Sequence, residues 1–106
     1  MGVFVIASYR PHPGKEKETH AVLRDHLPTL RKLGLVTDRE PVFMRAKDGT
    51  IVEMFEWKSH EAIETAHQDP VVAKMWERFA QACSYCSLAD VEECKEPFAG
   101  FEPLTL

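Results

Sequence analysis

Cysteine is scarce in this chain. Three residues in 106 are too few, and odd in number, for a disulfide framework, and the count fits a reducing compartment. Cys83 and Cys86 stand at C-x-x-C spacing, with Cys94 further on. No histidine follows His67 to complete a zinc set, and the pair falls at the end of an expected helix, whereas a redox pair opens one. The three are read as buried structural thiols, and no metal site is expected. Long apolar runs are missing as well. The longest, Val3 to Ala7, is too short to span a bilayer or form a signal-peptide core, so a cytoplasmic protein without a membrane role is expected. Basic charge is not in excess either: 13 Lys and Arg stand against 17 Asp and Glu, a net charge of −4. The two signs are interleaved, which leaves no basic stripe for nucleic acid. No phosphate-binding loop, metal set or nucleophile–base pair can be found, and no cofactor is expected.

What the chain does have is an ordinary globular composition, 44% hydrophobic and 28% charged, with length enough for one domain over residues 1–106. Its expected core runs from 3 to 91. Val3 to Tyr9 is apolar up to Ser8, as a central strand covered on both faces would be, and Pro11-His12-Pro13-Gly14 ends it. A helix is expected from about Lys15 to Leu33. Val22, Leu23, Leu27, Leu30 and Leu33 form its apolar stripe, His26 lies on that stripe, and Pro28 should kink or restart the helix. Leu35 to Lys47 and Thr50 to Lys58 then flank Asp48-Gly49, a strong hairpin signal.

A two-residue loop would pair Lys47 with Thr50, Met44 with Glu53 and Phe43 with Met54. One hairpin face would then hold Val42, Met44, Ala46, Ile51, Glu53, Phe55 and Trp57, and Glu53 is its only charge. The other would hold Phe43, Arg45, Val52, Met54 and Glu56. Pro41 argues for an edge position or a bulge. Ser59 and Asp69-Pro70 read as the starts of two helical segments. The first has an inner stripe of Ala62, Ile63 and Ala66; the second has Val72, Met75, Trp76, Phe79 and Cys83. Tyr85 to Val91 reads as a last strand. The tail, residues 92–106, carries Phe98, Phe101, Leu104 and Leu106 and is expected to pack on the body or on a partner.

The order β-α-β-β-α-β is the α+β, ferredoxin-like arrangement with an antiparallel sheet. The sheet face away from the helices would carry Phe43, Val52 and Met54. An apolar face of that size marks an interface, and a two-fold homodimer through it would hide it.

Pro13-Gly14-Lys15-Glu16, Glu56-Trp57-Lys58-Ser59-His60-Glu61-Ala62 and His67-Gln68-Asp69-Pro70-Val71-Val72, in this order of elements, resemble the antibiotic-biosynthesis-monooxygenase-like domains. The resemblance covers roughly Val3 to Val91. It implies a dimeric α+β barrel in a functionally mixed superfamily: cofactor-independent oxygenases acting on polyphenolic or quinol substrates, haem-degrading enzymes, isomerases, and members without known activity. The haem-degrading triad does not carry over, since Ser8 and Tyr9, Ala66 and Trp76 stand at its places. His67 lies one residue further from Trp57 than the histidine of many relatives does, a turn of ~100° on a helix.

A pocket between helices and sheet would be lined by His26, Trp57, His67, Met75, Trp76, Phe79 and Met44. If the Glu53 face lies under the helices, a carboxylate, a histidine and a tryptophan share one apolar space. Burial moves a carboxylate toward a usable base, so Glu53 and His26 are the candidate catalytic pair. The resemblance implies deprotonation of a phenol whose anion then reduces oxygen. Each residue also has a structural reading: Glu53 paired with a cation at a dimer seam, His26 satisfied in the core, His67 capping its helix, both tryptophans as core anchors. Two functions remain: a small cofactor-independent monooxygenase for an aromatic or quinol-like molecule, and a non-catalytic module that binds a small apolar ligand or only dimerises.

Overall fold

The computed structural model describes residues 2–106. Strands β1 (Val3–Pro11), β2 (Val42–Arg45), β3 (Ile51–Trp57), β4 (Cys83–Cys86) and β5 (Glu102–Pro103) form one antiparallel sheet in the order β4-β1-β3-β2-β5. Helices α1 (Glu16–Lys32), α2 (His60–His67) and α3 (Pro70–Ala82) complete the β-α-β-β-α-β order, with the second helix broken in two. The break is local chemistry. Ser59 caps α2 by accepting from the Ala62 N–H at 3.1 Å, and Asp69 caps α3 through Val71 and Val72, with Pro70 supplying a pre-set first turn.

α1 buries Val22, Leu23, Leu27 and Leu30 on one stripe, with Thr19 and His26 among them. It runs unbroken past Pro28, where a kink or restart was expected, and Leu33 is an exposed C-cap rather than a stripe residue. The stripe meets Val72, Met75 and Phe79 of α3 and the odd-numbered face of β1 and β3.

The hairpin differs from the expected register by one residue. Ala46 and Thr50 close the loop, with the Ala46 N–H donating to the Thr50 carbonyl at 2.8 Å and the Gly49 N–H to the Ala46 carbonyl at 3.0 Å. The connection is therefore three residues, Lys47-Asp48-Gly49, and only Gly49 takes a positive φ (94°), the arrangement of a type I turn followed by a left-handed glycine. The Asp48 carboxylate accepts from the Thr50 N–H at 2.9 Å, which holds that carboxyl below its usual range. Phe43 consequently pairs with Glu53 and Met44 with Val52. A one-residue slip exchanges faces: Phe43 joins Glu53 under the helices, and Met44 moves to the outer face.

The region 35–47 forms a shorter strand than expected. Only Val42–Arg45 is strand, and Val36 makes a single bridge to Trp57. Its edge is covered by the tail, since β5 pairs with Met44 and Arg45 and the Leu104 N–H donates to the Phe43 carbonyl at 3.1 Å. Leu104 and Leu106 pack on the core, while Phe98 is 96% exposed. The last strand also corrects an expectation. It begins at Cys83 and stops at Cys86, because Ser87 caps a 3-10 turn over Leu88–Asp90, followed by another over Glu92–Lys95.

These turns fold under the outer sheet face and are tied to it by Arg10, which donates to the Asp90 carbonyl, and by the Lys47 N–H, which donates to Glu93. Ser8, Val52 and Val91 are buried there. Val52, expected at an interface, is thus covered within the chain. What stays open on that face is Phe4 (53% exposed), Ile6 (48%) and Val42, beside half-buried Met44 and Met54. β1 is central in order but covered on one face only over this stretch. Arg39 leans over the Phe4 ring at 5.1 Å and binds Glu56, which keeps the Glu56 carboxyl below its usual range.

Candidate functional site

Strand parity builds the site. Val5, Ala7 and Tyr9 of β1 lie opposite Phe55, Glu53 and Ile51 of β3, all facing the helices. Alanine opposite Glu53 leaves room for a carboxylate, and Tyr9 stands on the diagonal, within reach of it. The Tyr9 hydroxyl donates to Glu53 Oε1 at 2.6 Å. From above, α1 brings His26, whose Nδ1 lies 3.0 Å from Oε1 and 2.9 Å from Oε2. Glu53 has no solvent exposure and His26 is 4% exposed.

This is a closed hydrogen-bond set. A carboxylate can only accept, so the hydrogen shared with Glu53 lies on Nδ1, and the neutral ring then carries its lone pair on Nε2. Nε2 makes no hydrogen bond among the described residues. The imidazole is gripped edge-on by Phe55 (5.2 Å between centroids) and Phe79 (5.1 Å), and Tyr9 stacks on Phe79 at 5.1 Å. Rotation of the ring would break both the carboxylate contacts and the aromatic packing.

Burial, and then the neighbouring Glu53 carboxylate, push the Tyr9 hydroxyl far above its ordinary value. The native state therefore holds this proton where an unfolded chain, with a tyrosine pKa of about 10, releases it. The resulting stability is complete below about pH 10 and falls as pH rises above it. Tyr9→Phe should flatten the alkaline arm of a Tm-against-pH curve. An unchanged slope between about pH 10 and 11.5 would show that Tyr9 does not set it.

His26 opens on a cleft of about 330 Å³ bordered by Val5, Ala7, Tyr9, Phe55, Trp57, His67, Trp76, Phe79 and Tyr85. His67 and Trp76 sit together at its rim, with centroids 5.0 Å apart. Of the residues expected to line a pocket, His26, Trp57, His67, Trp76 and Phe79 come together here. Met75 is buried beside them in the core without bordering the cleft, and Met44 lies on the opposite sheet face. Glu53 stands behind His26 rather than in the wall. It faces the helices, and within the chain it contacts a histidine and a tyrosine rather than an arginine.

Phe55 lies on the Glu53 face of the hairpin, which was expected under the helices, but Val5, Ala7, Tyr9 and Tyr85 were not anticipated in the wall. For Tyr9 the odd-residue parity of the first strand was a signal, but its use needs the register against β3, a non-local quantity. Cys83 is buried, its thiol donates to the Phe79 carbonyl at 3.3 Å, and burial pushes it up to about 11, as suits a structural cysteine. Among the described residues no cluster of three or more His, Cys, Asp or Glu could hold a metal, and no helix is long and apolar enough to cross a membrane.

No known protein family and no curated protein matches the chain by sequence. Solved structures do match by shape. SnoaB, a cofactor-independent oxygenase from Streptomyces nogalater, superposes with a TM-score of 0.67 at 15% identity, over 80% of this chain and 86% of that one. Rv0793 from Mycobacterium tuberculosis superposes with a TM-score of 0.63 at 19% identity, over 88% of this chain and 98% of that one. At such identities the likeness carries the fold alone: the chain shares with both structures the α+β, ferredoxin-like fold expected from its sequence.

Proposed function

We propose that the protein is a cofactor-independent monooxygenase for an aromatic, quinol-like small molecule, with His26 as its base. The observation that carries this reading is a histidine whose Nδ1 is committed to a fully buried carboxylate, whose ring borders an aromatic cleft, and whose Nε2 has no partner among the described residues. A nucleophile or base oriented by a third group is the usual mark of an acid–base site. Glu53 is then a positioning residue that fixes the tautomer and stabilises the imidazolium, and Tyr9 holds Glu53. Trp57, His67, Trp76 and Phe79 bind the ligand.

His26 Nε2 takes the phenolic proton. The phenolate, held away from water, gives one electron to dioxygen, and the resulting radical pair combines at ring carbon to a peroxide, which takes the proton back from His26 and becomes a hydroperoxide. Loss of water from the hydroperoxide leaves a quinone, so one oxygen atom enters the product and the other leaves as water. The substrate supplies all the electrons.

Oxygen uptake with purified protein and a panel of phenols, naphthols and hydroquinones tests the reading. One dioxygen consumed per quinone formed, lost in His26→Gln, is the expected result. Saturable binding of panel members without oxygen uptake would leave the non-catalytic reading, which is favoured by the fact that every Glu53 contact is satisfied inside the chain.

We further propose a homodimer through the outer sheet face, supported by the adjacent exposed Phe4, Ile6 and Val42. Ile6→Glu should convert a dimer to a monomer in sedimentation experiments. A wild-type protein that sediments as a monomer would refute it.

A further inference from the structure

His67 is more constrained than a helix-capping residue needs to be. It ends α2, and its Nδ1 lies 2.8 Å from the Ile63 carbonyl. A carbonyl can only accept, so Nδ1 carries the hydrogen, and in the neutral ring Nε2 is the acceptor. The ring is held a second time, edge-on against Trp76 at an interplanar angle of 69°. Its Nε2 makes no hydrogen bond among the described residues, and the ring borders the same cleft as His26. The cleft is therefore walled by aromatic groups and carries two imidazoles of one kind: each is pinned through Nδ1 to an acceptor of its own, and each leaves Nε2 as a fixed lone pair. Their anchors are unrelated, a β3 carboxylate and an α2 carbonyl, so the shared tautomer does not come from one network. The Tyr85 hydroxyl at the mouth can donate or accept and selects for neither.

We propose that His67 is the second hydrogen-bond acceptor of this cleft, and that its preferred ligand is a flat aromatic with two separated hydroxyl donors, one for His26 and one for His67. A ligand with one hydroxyl meets only one of the two acceptors and forgoes one hydrogen bond. The inference rests on the cleft being the ligand site proposed above, and it is independent of whether turnover follows.

Calorimetric titration without oxygen separates the two. Wild-type protein is titrated with naphthalene, 2-naphthol and the set of dihydroxynaphthalenes. The best diol should bind roughly tenfold tighter than 2-naphthol, the size of one added hydrogen bond. His67→Phe keeps an aromatic edge against Trp76 and removes the acceptor. It should bring the diol to the level of 2-naphthol, and an unchanged circular-dichroism spectrum and Tm show that the variant is folded. A diol preference that survives His67→Phe, or is missing from the wild type, overturns the inference while leaving the cleft as a ligand site. Loss of 2-naphthol binding together with diol binding overturns it too, because His67 would then act through the fold. Failure of every ligand to bind the wild type refutes the cleft reading itself.

Discussion

Glu53→Ala should lower the unfolding free energy by about 3–5 kcal/mol, the usual cost of removing one partner from a buried polar pair. The carboxylate accepts from Tyr9 and His26 at 2.6 to 3.0 Å with no solvent exposure. Truncation leaves the tyrosine hydroxyl and the imidazole Nδ1–H without acceptors, at about 1–3 kcal/mol each, and opens a void between Ala7 and Phe43. For a protein of ordinary stability, about 5–15 kcal/mol, much of the margin would go. Glu53→Gln keeps the shape and one carbonyl acceptor and should cost clearly less. Urea titrations of the three proteins give the comparison; an alanine variant within about 1 kcal/mol of wild type would mean that water replaces the carboxylate freely and the network is not a structural unit.

His26→Gln should lower kcat by about 10²–10⁴-fold, the range for losing a general base, while ligand affinity stays within about threefold. Glutamine is chosen because its amide N–H can still donate to Glu53, so the buried carboxylate keeps a partner while the basic Nε2 is gone. Chemical rescue separates this role from a structural one. Added imidazole should restore part of the rate. Full activity in His26→Gln would remove the base from the mechanism.

How much of this was legible in the chain depends on the range over which each feature is decided. The helix starts at Ser59 and Asp69-Pro70 are written within four residues, and they stand as read. The carboxylate on the greasy face of the hairpin was legible because strand parity is local, and the histidine on the α1 stripe because helical parity is. Their meeting needed only that the Glu53 face be the one under α1. The hairpin register was not legible, since Asp48-Gly49 suits both a two-residue loop with two left-handed residues and a three-residue loop with one. The chain takes the second, and Phe43 and Met44 exchange faces. Tyr9 was out of reach for a related reason: its contact with Glu53 depends on pairing across 44 residues. The tail's position was undecided between body and partner; its residues 102–104 pair with the edge of β2.

That edge pairing has a consequence for how copies of this protein can meet. The sheet is nine and seven residues long at its centre and four at each flanking strand, with one flank closed by two residues of tail. A second chain approaching on the β2 side would find that ladder already taken by the tail, so growth strand upon strand lacks a template there. The homodimer proposed above would use the flat side instead, where Phe4 and Ile6 lie, and a pairing made flat side to flat side uses up both surfaces at once. Assembly of that kind stops at two.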